Sequence, residues 1–110
     1  MSRFVNCTPH ILNIHTVGGV AVFAPSGFVP RLEVSRQEAG YIDGIPTVRP
    51  TMGKTVGLPA PSEGLTYIVS ALVAEANPDR KDLASPGELI RNGEGQPIGC
   101  KGLCVYWRLV

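Results

Sequence analysis

Apolar residues in this chain come in short clusters separated by Gly- and Pro-bearing polar stretches. Phe4-Val5 and Ile11-Leu12-Asn13-Ile14 read as two strand pieces interrupted by Thr8-Pro9-His10, because proline removes a ladder donor. Gly18-Gly19 reads as a hairpin turn and Val20 to Phe23 as its return strand. After the Pro25-Ser26-Gly27 turn, Phe28 to Ser35 alternates loosely and reads as a strand broken at Pro30. Tyr41-Ile42, Asp43-Gly44 and Ile45 to Val48 spell a hairpin around an Asp-Gly turn. Thr55-Val56 is a short strand ending at Gly57. Thr66 to Ser70 is strand-like, and a short helix over 71–76 follows, stopping before Asn77-Pro78. The stretch Pro78 to Asp82 reads as a solvated loop. Leu89-Ile90-Arg91 and Ile98 flank a hairpin signal, Asn92-Gly93-Glu94-Gly95. Leu103 to Val110 reads as a terminal strand. The expected architecture is mainly β: a small barrel or sandwich of about eight short strands, with one short helix near residues 71–76.

Composition supports that reading. The chain has 110 residues, which is one domain, 1–110, large enough for a single modest core. Thirteen glycines and ten prolines without a repeat imply many tight turns. Net charge is +1 with no Lys/Arg run, which argues against duplex nucleic acid as a partner. No apolar run is long enough to span a membrane, and the first residues lack a signal-peptide core, so the expected location is the cytosol.

Candidate chemistry lies at the turns. Three cysteines argue against a disulfide framework. On one continuous strand Cys100 and Cys104 would share a face about 13 Å apart, too far to bridge. Cys7-x-x-His10 with Cys100-x-x-x-Cys104 can be drawn as a zinc site, but neither spacing is the usual one. Buried thiols are the expectation, with no metal and no cofactor. Gly53-Lys54-Thr55 ends like a phosphate loop, but Val48 stands where the first glycine is needed. His10 and His15 do not fall in paired H-x-T elements, and Cys7 with His10 has no orienting acid nearby in sequence. Pro25-Ser26-Gly27 followed by Arg31 resembles an anion cradle of N–H groups, a hydroxyl and a guanidinium. The expected ligand-binding set is therefore Thr8, His10, Ser26, Gly27 and Arg31, with Arg80 and Arg91 as further phosphate contacts. Tyr41, Tyr67 and Trp107 are candidate stacking surfaces.

Taken together, Asn6-x-Thr8-Pro9-His10, Pro25-Ser26-Gly27, Val56-Gly57-Leu58-Pro59-x-Pro61, Tyr67 to Val73, Arg80-x-Asp82, Pro86-Gly87-Glu88-Leu89-x-Arg91 and Ile98-Gly99-Cys100 resemble a family of small proteins of tailed phages and prophages, often actinobacterial. The resemblance covers roughly residues 4–104. Cys7 departs from it, standing where the family carries an aliphatic residue. The resemblance implies no established activity. It implies a protein of the host cytosol, in a setting where some small phage proteins act as sponges for the nucleotide second messengers of bacterial immunity. By that analogy of class, the leading expectation is a non-enzymatic, homo-oligomeric protein that binds and sequesters a small phosphorylated nucleotide-like ligand. The alternative is a phage accessory or virion-associated interaction protein with no small ligand, using the terminal strand as a docking edge. A third is a small phosphodiesterase or hydrolase.

Overall fold

The structure, a computed structural model, describes residues 3–107. Eight strands and one helix occur in the order β1 (Phe4–Asn6), β2 (Leu12–Thr16), β3 (Gly19–Phe23), β4 (Arg31–Ile42), β5 (Ile45–Val56), β6 (Thr66–Ile68), α1 (Ala71–Ala76), β7 (Leu83–Arg91) and β8 (Pro97–Cys104). The mainly β expectation and the helix over 71–76 are both met.

Six strands form one mixed sheet in the order β1-β6-β7-β8-β2-β3. It curls into a nearly closed barrel, bringing its two edge strands together. The amide of Asn6 on β1 donates to the Phe23 carbonyl on β3 at 3.0 Å. The Phe4 and Phe23 rings meet edge to face, with centroids 5.7 Å apart.

Strand β6 explains the core. It pairs in parallel with β1 and β7. Parallel strands need a crossover, and α1 supplies it between β6 and β7. Ser70 caps the helix by accepting from the Val73 N–H, and Asn77 terminates it. Because β6 lies under the helix on one face and lines the barrel on the other, its apolar run is continuous. Tyr67 and Val69 pack with Cys7, Val73, Ala74 and Leu83 on the helix side. Ile68 points the other way, into the barrel with Ile14 and Cys100. Strands β7 and β8 approach so closely that a β-carbon on Gly87 would fall on the carbonyl oxygens of Lys101 and Gly102.

Strands β4 and β5 stand apart as a two-stranded sheet. This is the first departure from expectation: the separate short pieces are two continuous twelve-residue strands. The hairpin itself is where Asp43-Gly44 placed it, and both turn residues have positive φ (48° and 81°), the geometry of a type I′ turn. The sequence looks broken because of Gly40, Pro46, Pro50 and Gly53. These positions lie at or between two register irregularities, or where no donor is required. The arm extends the molecule to 55 × 40 × 31 Å, with a radius of gyration of 17.0 Å. A compact chain of this length has about 13 Å.

Four smaller differences from expectation remain. The β2–β3 turn is Val17-Gly18, one residue earlier than the Gly18-Gly19 reading. The last strand ends at Cys104 rather than continuing to Val110; residues 105–107 are not strand, and 108–110 lie outside the described residues. That strand is also not an edge, since β8 lies between β7 and β2. Finally, Gly102 at φ 64° interrupts the side-chain alternation of β8, so Cys100 is buried while Cys104 is exposed.

Candidate ligand groove

The turn from Asn6 to His10 is built around one buried amide. Asn6 Oδ1 accepts from the Thr8 N–H at 3.0 Å and from the Thr8 hydroxyl at 2.7 Å. Asn6 Nδ2 donates to the carbonyls of His10 (2.8 Å) and Phe23 (3.0 Å). Asn6 thus satisfies all four of its hydrogen-bonding positions while holding the barrel seam. Thr8 is buried, and its hydroxyl is engaged in the turn rather than free. The His10 ring, by contrast, is exposed and makes no hydrogen bond among the described residues.

This turn forms one end of an open groove of about 900 Å³. The start of α1, at Ser70 and Ala71, forms another part, and β7 and β8 contribute Leu89, Ile98 and Cys100. Ile11, Leu89 and Ile98 are large apolar side chains exposed at this surface. The polar side chains are Thr8, His10, Asn13 and Ser70, and no Asp, Glu, Lys or Arg lines the groove. Its chemistry is apolar contact with a few uncharged hydrogen-bonding groups.

Of the seven expected ligand residues, the fold brings only Thr8 and His10 into this groove. Ser26 is tied to the same turn from outside it: its N–H donates to the Asn6 carbonyl at 2.9 Å, and its hydroxyl accepts from Phe28 N–H at 3.4 Å. Gly27, at φ 97°, completes that bend. Arg31 is exposed at the root of the arm, opposite Val56. Arg80 is half-buried and engaged through Nε and Nη2. It holds both oxygens of Asp82 (2.8 and 2.7 Å) and the Pro59 carbonyl (2.9 Å). The loop read as solvated is therefore clamped. Hydrogen bonding to Asp82 raises the Arg80 pKa, and the same bonds hold the Asp82 carboxyl below its ordinary value. Arg91 donates to the Gly95 carbonyl inside its own hairpin. Among the stacking candidates, Tyr67 is in the core with its hydroxyl on the Ala60 carbonyl, and Tyr41 is at the arm tip. The Trp107 indole nitrogen is enclosed without a partner among the described residues.

The three cysteines are free thiols, Cys7 and Cys100 buried and Cys104 exposed. Burial pushes the Cys7 thiol above its ordinary pKa, opposed by a contact from the Ser26 hydroxyl at 4.0 Å. Cys7 and Cys100 lie in different core clusters. Among the described residues, no three His, Cys, Asp or Glu side chains come together as a metal site would require.

Sequence reasoning missed Ile11, Asn13, Leu89 and Ile98 as groove residues. The available signal was apolar residues beside turns at solvent-facing positions. Only the pairing of β8 with both β7 and β2 makes them one surface. A scan of family models and searches of curated proteins and solved structures return no match to this chain, so the functional reading rests on the geometry.

Proposed function

We propose that this protein is a non-enzymatic binder that holds a small heteroaromatic ligand, of nucleoside or nucleotide size, in the groove between the Asn6–His10 turn, α1 and β7–β8. The observation that carries this reading is the groove itself. Its volume lies in the range of small-molecule sites, roughly 300–1,000 Å³. Apolar side chains suit the faces of a flat ring, while Asn13, Ser70 and the exposed His10 can meet its polar edge. With no lysine or arginine in the lining, the base and sugar provide most of the affinity, and a phosphate projects toward solvent past His10.

The reading makes a specific demand on ligand choice. A nucleoside and its monophosphate should bind within about tenfold of each other, and added salt should weaken binding little, because few charges are neutralised. Calorimetric titration with a nucleoside and nucleotide panel tests this. Binding that disappears in Ile98→Asp, with an unchanged melting temperature and the ligand recovered intact, supports the proposal. If no panel member binds, or if Ile98→Asp binds like wild type, the groove is not the site.

A further inference from the structure

The arm poses a problem that the groove does not. A two-stranded ribbon in water is marginal, since stable sheets need a third strand or a packed face. One face of this ribbon carries the pairs Val34–Met52, Arg36–Pro50, Glu38–Val48 and Tyr41–Pro46. Val34 (52%), Val48 (55%), Met52 (48%) and Tyr41 (75%) are exposed on it. The same face continues inward to Leu32, which packs on the helix-side core.

The two outer edges differ. Pro46 and Pro50 lie within β5 and can occupy only positions whose nitrogen points away from β4. They therefore remove donors from the outer edge of β5, which closes that edge to another strand. They also set the hydrogen-bonding phase. On β4, Ser35 and Gln37 bond inward to β5, while Val34, Arg36 and Glu38 present N–H and C=O groups outward. No proline interrupts β4.

We propose that the outer edge of β4 pairs antiparallel with β4 of a second copy about a two-fold axis, making one four-stranded sheet from two arms. Symmetry requires some residue to face its own counterpart. Centring on Arg36 or Glu38 sets like charges against each other. Centring on Ser35 sets Glu38 against the partner's Leu32, which is held in the core. Centring on Gln37 sets amide against amide, with Arg36 opposite the partner's Glu38 and Glu38 opposite the partner's Arg36. In this register the two outward-facing residues also supply the main-chain bonds. The apolar faces of both arms fall on the same side and double in width. Each arm is about 40 Å long by strand rise, so the tip of one reaches the root of the other. This inference goes beyond ligand binding and does not depend on the groove.

Light scattering after size exclusion tests it in a Cys104→Ser background, which removes the exposed thiol. The parent should be a dimer. Arg36→Glu or Glu38→Arg alone sets like charges opposite twice per dimer and should weaken association about tenfold or more. The double swap, Arg36→Glu with Glu38→Arg, should restore it. Gln37→Cys should oxidise to a covalent dimer, because the Cα atoms of a non-hydrogen-bonded antiparallel pair lie about 4.5 Å apart, within disulfide reach. A monomeric parent overturns the proposal, as do single swaps that associate like the parent. A dimer in which Gln37→Cys does not cross-link overturns the register.

Discussion

The barrel body and the hairpin arm come from the same chain and solve the burial problem in opposite ways. In the body, β6 is covered on both faces, its neighbours pair on both sides, and a helix crosses over it. In the arm, twelve-residue strands pair only with each other, and most of their apolar side chains face water. The body thus covers its core within one chain, while the arm leaves apolar side chains and a strand edge uncovered, which is why we propose a second copy there. The two regions also differ in surface chemistry: an apolar groove with a few uncharged polar groups on the body, and on the arm a proline-free strand edge carrying Arg36 and Glu38.

The largest contrast should come from apolar truncation. Ile68→Ala empties a fully buried site inside the barrel and should cost about 4 kcal/mol, whereas Val48→Ala in the arm should change monomer stability by less than about 0.5 kcal/mol. Urea denaturation of the two variants measures the difference; similar losses would mean that the arm is packed in the folded monomer. Asn6→Ala should follow, at about 3 kcal/mol. It strips the seam of its bonds to the Phe23 and His10 carbonyls and leaves the Thr8 N–H without its partner. The same substitution should loosen the groove, whose rim is that turn.

Smaller effects probe the clamp between the arm root and the body. Asp82→Asn should cost about 1 kcal/mol at neutral pH, because it weakens a partly buried, two-bonded ion pair. The Asp82 carboxyl is held below its ordinary value of 3.8, so the unfolded state takes up the proton first. The pair's contribution is complete above that ordinary value and is lost as pH falls through the lowered one. The stability gap between wild type and Asp82→Asn should accordingly close in acid; a gap constant from pH 7 to pH 3 would show that the charge is not what Asp82 supplies. Smallest of all, Ser85→Ala should be neutral or slightly stabilising, because the Ser85 hydroxyl is buried without a partner among the described residues. A clear loss in thermal unfolding would reveal a partner for that hydroxyl.

The elements of the body were largely legible in the sequence. The β-branched and aromatic residues of Thr66 to Val69 announced a strand, and Asn77-Pro78 marked where the helix ends. The Asp43-Gly44 turn was equally plain, but the length of its strands was not, because prolines on an outer edge look the same in sequence as prolines that end a strand. Polar residues at turns were the harder case. Asn6, Thr8 and Ser26 have the side chains that a ligand site needs, and the same groups serve to hold a turn. Arg80 looked like a free cation until Asp82, two residues on, and the distant Pro59 carbonyl were seen to take its donors. Groove residues such as Ile11 and Ile98 showed in sequence only as apolar residues beside turns, since their proximity depends on pairing between strands far apart in sequence.

The arm is proposed to be covered by a second copy, whereas the body covers its own core. Amide hydrogen exchange followed across protein concentration tests that most directly. Amides of Tyr67, Ile68, Val69 and Ala84 should be protected equally at every concentration. Those of Val34, Arg36 and Glu38, which face outward from β4, should gain protection as concentration rises, while the outer edge of β5 does not. Protection of the β4 edge that is already complete at low concentration and never changes, or that never appears at all, would contradict it.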